Sequence, residues 1–286
     1  MTLTVLFCAD PLHPRRVDPH FAREATAVRD HYGETALIDH DELCRGDAAK
    51  AVRAVPADLG PAWYRGWMLT SAQYTALAAA LRRRGTVLLT HPDDYRRAHE
   101  LPGWHDTFAG LTPASVWRPV PPGGDPGDLP EMVRPLRDGP AIVKDYVKSR
   151  KHEWDAACYV PDLRDARALT AVVTELIARQ EEFLAGGVVV REFEEFDGGG
   201  EARVWWVDGE PALVGPHPDT PGIEPDPDVG PVAPAVRALG CRFITTDLAR
   251  LRDGTWRVVE VGDGQVSDLP ATIDPMDLYA QLPVPD

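Results

Sequence analysis

Basic residues, cysteines and long apolar runs are all scarce in this chain. Lys and Arg number 30 against 45 Asp and Glu, a formal net charge of −15 over 286 residues. A phosphate backbone would repel such a surface, so nucleic-acid binding is not expected unless basic residues cluster locally. They cluster once, from Lys144 to Lys151. The four cysteines (Cys8, Cys44, Cys158, Cys241) are far apart and show no C-x-x-C spacing. That fits reduced thiols in a cytoplasmic protein and offers no zinc signature. No apolar run approaches the roughly 18 residues of a membrane span, so a membrane protein is not expected. The start, MTLTVLFCADPLHP, lacks a basic leader and a small-residue cleavage site, and reads as a first strand rather than a signal peptide. With 44% apolar and 26% charged residues, the chain has the composition and length for a sizeable core and for one large or two to three small domains.

The first hundred residues alternate strand and helix. Leu3–Cys8 is a short apolar run. Asp18-Pro19 supplies an N-cap and a first-turn proline for a helix to about Tyr32, closed by Gly33. Thr35–Ile38 follows as a strand. Ser71 caps a helix that carries arginines in its last turn and Gly85 beyond it, and Thr86–Thr90 is a further strand. This rhythm predicts a small parallel sheet flanked by helices. PVPPGGDPGDLP, residues 119–130, reads as a linker. Beyond it lie a strand at Ala141–Val147, a helix capped by Asp165, a strand at Val188–Phe193, and two hairpins turning at Asp208-Gly209 and Asp253-Gly254. The proline-rich residues 214–231 predict a long surface loop.

The last hairpin carries the first chemical signal. A two-residue turn at Asp253-Gly254 would set Leu251 opposite Trp256, Ala249 opposite Val258, and Asp247 opposite Glu260. Carboxylates so opposed, with β-carbons roughly 4.5–5.5 Å apart, need a shared proton, a basic neighbour or a cation, unless they simply face water. Gly262-Asp263-Gly264-Gln265 follows at once, with further oxygen ligands and a backbone that permits close approach. Mg²⁺ commonly takes one or two carboxylates and completes its shell with substrate phosphates.

PAIVKDYVKSRKHEW supplies phosphate-binding candidates. Along a strand Lys144, Tyr146 and Lys148 share a face, with the two lysine α-carbons roughly 13 Å apart. The bland counterpart is an edge strand protected by lysines. Ser149 to His152 then reads as a basic loop over the phosphates. VVVREFEEFD, residues 188–197, is either a linker offering backbone groups to an adenine edge and a carboxylate to a ribose, or a solvated strand end. In GEARVWWVDGE, Arg203 is a planar bidentate donor for phosphate or carboxylate, or the partner of Glu201. Pro211 marks an edge strand. Two substrate candidates stand apart: Arg65 within AWYRGWM, and Arg16, which with His13 and Arg15 follows the first strand, at the end where open α/β sheets bind ligands.

Taken in order, IVKDYVKS, VVVREFEEF, EARVWWVDGE and TTDLARLRDGTWRVVEVGDG resemble the ATP-grasp superfamily, and most nearly its clade named for one arginine and two lysines. The resemblance implies an α/β plus α+β fold. A Rossmann-like pre-ATP-grasp domain would span residues 1–118, a linker 119–130, and two α+β ATP-grasp lobes 131–190 and 191–286, with ATP held between the lobes. It implies an ATP- and Mg²⁺-dependent carboxylate–amine ligase that passes through an acylphosphate. The other readings are an ATP-grasp phosphotransferase and a non-catalytic nucleotide-binding regulatory protein. By residue, Lys144 and Lys148 look like phosphate ligands, and Glu192, Phe193, Glu194 and Glu195 like the hinge and ribose contacts. Arg203 looks like the arginine that steadies the γ-phosphate and acylphosphate, with Lys148 assisting. Asp247 and Glu260 look like Mg²⁺ ligands. Many members carry Glu-x-Asn on the last strand; here Gly262 stands at the Asn position, and Asp263 or Gln265 would have to substitute. Arg65, Arg16 and His152 remain as substrate contacts. The partners implied are small-molecule or peptide acids and amines.

Overall fold

The computed structural model describes residues 3–284. The chain divides into two compact units: Met1–Ala98, Gly200–Asp247 and Val261–Asp286 form the first, and His99–Gly199 with Leu248–Glu260 the second.

The first unit contains the parallel sheet that the alternating pattern predicts. Its strands are β1 (Leu3–Cys8), β2 (Gly33–Ile38), β3 (Gly60–Arg65) and β4 (Thr86–Leu88), in the order β2-β1-β3-β4. Every residue of β1 is buried, as a strand covered on both faces requires. β3 is not among the strands the sequence pattern predicts, although Trp63, Tyr64 and Arg65 are all buried. The stretch from Pro19 to Tyr32 is helical throughout, but as a 3₁₀ turn, an α-helix and a π turn in succession. Asp18 caps it by accepting from the His20 N–H. The helix Ser71–Arg82 is capped by Thr70 rather than Ser71, through a capping box with Gln73.

A second sheet has the order β10-β9-β11-β12. It is built from β9 (Phe196–Val207), β10 (Glu210–Pro216), β11 (Phe243–Leu251) and β12 (Trp256–Asp263), the division between the units passing through β9, β11 and β12. Val207 pairs with Glu210, so Asp208-Gly209 is the two-residue turn expected. Both turn residues have positive φ, 48° and 84°, as a type I′ hairpin demands. Pro211 lies on the edge strand β10, beside an irregularity in its pairing.

The turn at Asp253-Gly254 departs from the expectation. Leu251 N–H bonds Thr255 O (2.8 Å) and Gly254 N–H bonds Leu251 O (2.9 Å). The loop is therefore three residues, Arg252 to Gly254, with Gly254 at φ 91° as the bulge glycine. At the turn Leu251 pairs with Thr255, not with the expected Trp256.

The second unit carries a four-stranded sheet in the order β5-β8-β6-β7, from β5 (Ser115–Pro119), β6 (Ala141–Asp145), β7 (Tyr159–Val160) and β8 (Gly187–Glu192). The helix Ala166–Gln180, capped by Asp165, lays Leu169, Val173 and Leu176 into this unit's apolar core with Val143, Val188 and Val190.

Candidate active site

In the second unit, the strand bearing the lysines is shorter than its sequence suggests. β6 stops at Asp145 because that buried side chain rewires the backbone. Its Oδ1 accepts the N–H groups of Val147 (2.7 Å) and Lys148 (2.5 Å), and its Oδ2 accepts from the Gln180 amide (2.6 Å). The Asp145 N–H in turn bonds Lys148 O (3.0 Å), and Lys144 bridges to Ser149. Lys144 and Lys148 therefore flank a turn instead of lying along one strand face. Burial pushes the Asp145 carboxyl pKa up, against the backbone N–H groups that lower it.

Lys144 is buried, and its ammonium donates to Val147 O (3.0 Å) and to Glu260 Oε1 (3.4 Å). Lys148 is exposed. His99 records both charges: burial first, then Lys148 and Lys144, push its pKa down to about 4 and hold the imidazole neutral. The segment that follows is anchored at Arg150, which grips Glu153 (2.7 and 3.2 Å) and the Gln180 side chain (3.1 Å). Lys151 and His152 form an exposed 3₁₀ turn beside it.

The acidic segment is thoroughly paired. Glu192 accepts from the Arg137 backbone N–H (2.8 Å) and guanidinium (2.7 Å). Glu194 takes both arms of Arg257 (2.9 and 2.7 Å), and Glu195 takes Arg252 (2.8 Å). Phe193 sets its ring edge-on to Trp154 and Tyr159, which stack on each other at 5.1 Å. β8 ends at Glu192, so the alternation of faces does not continue beyond it.

In the first unit, Arg203 on β9 meets Asp247 on β11 and not Glu201. The guanidinium is bidentate, Nε to Oδ1 at 2.8 Å and Nη2 to Oδ2 at 2.9 Å, and its third nitrogen donates to Asp268 O (3.2 Å). Both side chains are largely buried, at 11% and 6% exposure, so the pair is scarcely screened by water. His217 Nε2 stands 3.5 Å from Asp247 Oδ2, while His217 Nδ1 accepts the Asp219 N–H (3.1 Å). Glu201, His217 and Asp247 each bring one ligand atom within 4.8 Å of the others, a spread that suits the shell of one divalent cation. Glu201 and His217 escaped the sequence reading as metal ligands: His217 lies in a proline-rich stretch, and only chain reversal through β10 brings it beside β9 and β11.

Asp263 and Gln265 lie elsewhere. Asp263 is 1% exposed, and its Oδ1 accepts the Gln265 N–H (3.0 Å) and amide (2.9 Å). Gln265 Oε1 receives the Tyr64 N–H (3.0 Å) and its Nε2 donates to the Tyr74 hydroxyl (3.1 Å). Among the described residues, Asp263 Oδ2 has no hydrogen-bond partner. Burial, chiefly, pushes the carboxyl pKa up to about 7, with the Asp94 charge adding to the rise. Gly262 explains why no side chain stands there: a Cβ would come within 3.0 Å of Thr245 Oγ1 and 3.2 Å of Ser267 Oγ.

Arg65 does grip a carboxylate, but the chain's own. Nε and Nη2 bind Glu24 (2.6 and 2.9 Å), Nη1 binds Gln265 O (3.1 Å) and Ser267 O (2.7 Å), and the residue is 2% exposed. It is a core tie with four of its five N–H groups engaged inside the protein, and this buried role replaces the expectation of a substrate contact. Arg16 is exposed in the loop after β1.

This architecture is that of the ATP-grasp proteins. D-cycloserine synthetase DcsG is 17% identical, with 97% of this chain and 98% of that chain covered at a TM-score of 0.60. D-alanine–D-alanine ligase from Bacillus anthracis, solved with ATP, is 14% identical, with 98% and 91% covered at 0.57. A RimK domain protein from Sphaerobacter thermophilus DSM 20745 is 16% identical, with 92% of each chain covered at 0.56. No curated protein matches. Residues 131–282, more than half of the chain, match the profile of an ATP-grasp domain, the third family of the clade named for one arginine and two lysines, and the chain belongs to that family.

Proposed function

We propose that this protein is an ATP- and Mg²⁺-dependent ligase that activates a carboxylate as an acylphosphate and joins it to an amine, releasing ADP and phosphate. The observation that carries this reading is a repeated pairing. Arg203 is held by Asp247 and Lys144 by Glu260, so each buried cation suited to a phosphate is matched with a carboxylate suited to a metal. Both kinds of group are what phosphoryl transfer to a carboxylate needs, because the protein's main task there is to neutralise and position charge.

In this reading Lys144 and Lys148, which flank the turn built by Asp145, bind phosphate oxygens. Glu192 to Glu195 form the nucleotide hinge. Arg203 holds the transferring phosphoryl group and then the acylphosphate. Asp247 and Glu260 would hold Mg²⁺, and Glu201 and His217 lie close to Asp247. When bound, the metal supplies further neutralisation of phosphate charge. The parallel sheet of the first unit serves as the pre-ATP-grasp domain, of Rossmann-like kind, within the span 1–118. The solved structures similar to this chain include ligase PsnB with a precursor peptide and the D-alanine ligase, so a small-molecule or peptide acid and amine are the expected substrates. Among the described residues no helix is long and apolar enough to cross a membrane. A cytoplasmic setting is part of the proposal.

Incubation with ATP, Mg²⁺ and pooled amino acids, followed by mass spectrometry, tests the reading. An amide with stoichiometric ADP supports it; a stable phosphorylated acceptor would establish a kinase instead. Glu260→Gln keeps the side chain's shape and removes its charge. Its expected effect is about a tenfold or greater loss of ATP turnover with a raised Mg²⁺ requirement, measured by ADP release across a magnesium titration. Parent-like turnover at every concentration would remove Glu260 from the metal site.

A further inference from the structure

An amine that attacks an acylphosphate must first lose the proton of its ammonium form, and none of the residues assigned above has been given that task. A second constellation in the first unit is suited to it. His20 Nε2 lies 2.9 Å from Asp268 Oδ1, with the two side chains 40% and 49% exposed. The backbone carbonyl of the same Asp268 accepts the Nη1 of Arg203 (3.2 Å). One residue thus joins the arginine proposed to hold the acylphosphate to a histidine–carboxylate pair open to solvent.

The position in the fold points the same way. His20 follows β1, and Trp67, whose ring lies 4.6 Å from the His20 ring, follows β3. In the order β2-β1-β3-β4, the chain leaves β1 toward β2 on one side and β3 toward β4 on the other. The crevice beyond the carboxyl ends of β1 and β3 is the switch point at which open parallel sheets bind ligands. Trp67 and Met68 stay 37% and 40% exposed there, apolar surface without a cover.

When His20 donates Nε2–H to Asp268, the Nδ1 lone pair is left as the proton acceptor, and the carboxylate fixes the orientation of the ring. Asp18 also faces His20, its Oδ1 accepting the His20 N–H and its Oδ2 the Trp67 indole N–H (2.9 Å), while the nearby Arg23 is engaged with Ala271 O and Ile273 O. The Phe21 ring packs against the imidazole at 4.7 Å in a T-shaped arrangement.

We infer that His20 is the general base of the amine half-reaction and that Asp268 is its positioning residue. This inference rests on the ligase reading above. The ammonium passes one proton to His20 Nδ1. The freed lone pair attacks the acyl carbon, a C–N bond forms, and the C–O bond to phosphate breaks. Phosphate departs with the electron pair, and the second nitrogen proton is lost to it or to water.

Hydroxylamine, which is neutral at pH 7, reacts with an acylphosphate without needing a base, so it separates the two halves of the reaction. The parent protein is given ATP, Mg²⁺ and pooled amino acids, with and without hydroxylamine, and amide and hydroxamate are counted by mass spectrometry. For His20→Gln the amide-to-hydroxamate ratio is expected to fall on the order of 100-fold at pH 7, recovering as pH rises and the amine deprotonates unaided. Asp268→Asn should lower the same ratio by about tenfold or more, through kcat rather than KM. An unchanged ratio, or equal losses of both products, would overturn the assignment. If the parent forms neither product, the ligase reading itself fails and takes this one with it.

Discussion

Arg203→Met is expected to reduce ATP turnover on the order of 10³-fold or more, the scale seen when a preorganised cation is removed from a transferring phosphoryl group. The same change should cost stability, because it strips Asp247 of both hydrogen bonds from its guanidinium partner while the carboxylate remains 6% exposed. Breaking a buried pair from one side typically costs about 3–5 kcal/mol, and the nearby His217 would recover part of that. Arg203→Met/Asp247→Asn should regain much of the stability and none of the turnover. Urea unfolding and ADP release measure the two effects independently. A double variant as unstable as the single one would mean that the loss comes from packing rather than from the orphaned charge.

Asp263→Asn should remove a pH dependence built into the core of the first unit. The folded carboxyl has its pKa raised to about 7 against an ordinary 3.8, mainly by burial. Below about pH 4 it is protonated in both folded and unfolded chains and carries no penalty. As pH rises from about 4 to 7, the unfolded chain releases the proton while the folded chain retains it. Stability therefore falls across this window, by up to about 4 kcal/mol at roughly 1.4 kcal/mol per pH unit, and levels off above it. The asparagine cannot ionise, and its carbonyl can still accept the two Gln265 hydrogen bonds. The expected result is a variant close to the parent at about pH 4 and markedly more stable at about pH 8, seen in urea midpoints across that range. A stability difference that stays flat with pH would show that Asp263 is ionised in the folded state.

The two cases differ in what could be read from the chain. Arg203 sits in a strand whose hairpin is announced by Asp208-Gly209, and its role as a bidentate donor follows from side-chain type and alternation. Its partner does not follow. Glu201 and Asp247 are comparable candidates in one dimension, and only the placement of β11 beside β9 selects Asp247. Asp263 looks from sequence like one more oxygen ligand after Glu260, the glutamate proposed to bind the metal. The turn of the chain into the 3₁₀ segment Gly264–Val266 carries it into the core with Gln265 instead.

Local sequence was sufficient wherever the determining interaction spans a few residues. The buried run Leu3–Cys8, the cap at Asp165, the I′ turn at Asp208-Gly209 and the edge proline Pro211 all arise from short-range sterics and hydrogen bonding. It was insufficient at Asp145, where one side chain capturing two N–H groups ends a strand that propensity would extend. It was insufficient again at Asp253-Gly254, where two- and three-residue turns share the same signature and differ by a single register step. The order of motifs along the sequence determined the ATP-grasp family and the kinds of side chain the chemistry requires. Tertiary structure alone decided their partners: Arg203 with Asp247, Lys144 with Glu260, Arg65 with Glu24, His20 with Asp268. The physical reason is that an ion pair depends on distance and burial, and neither is encoded by the spacing of residues 41 to 248 positions apart.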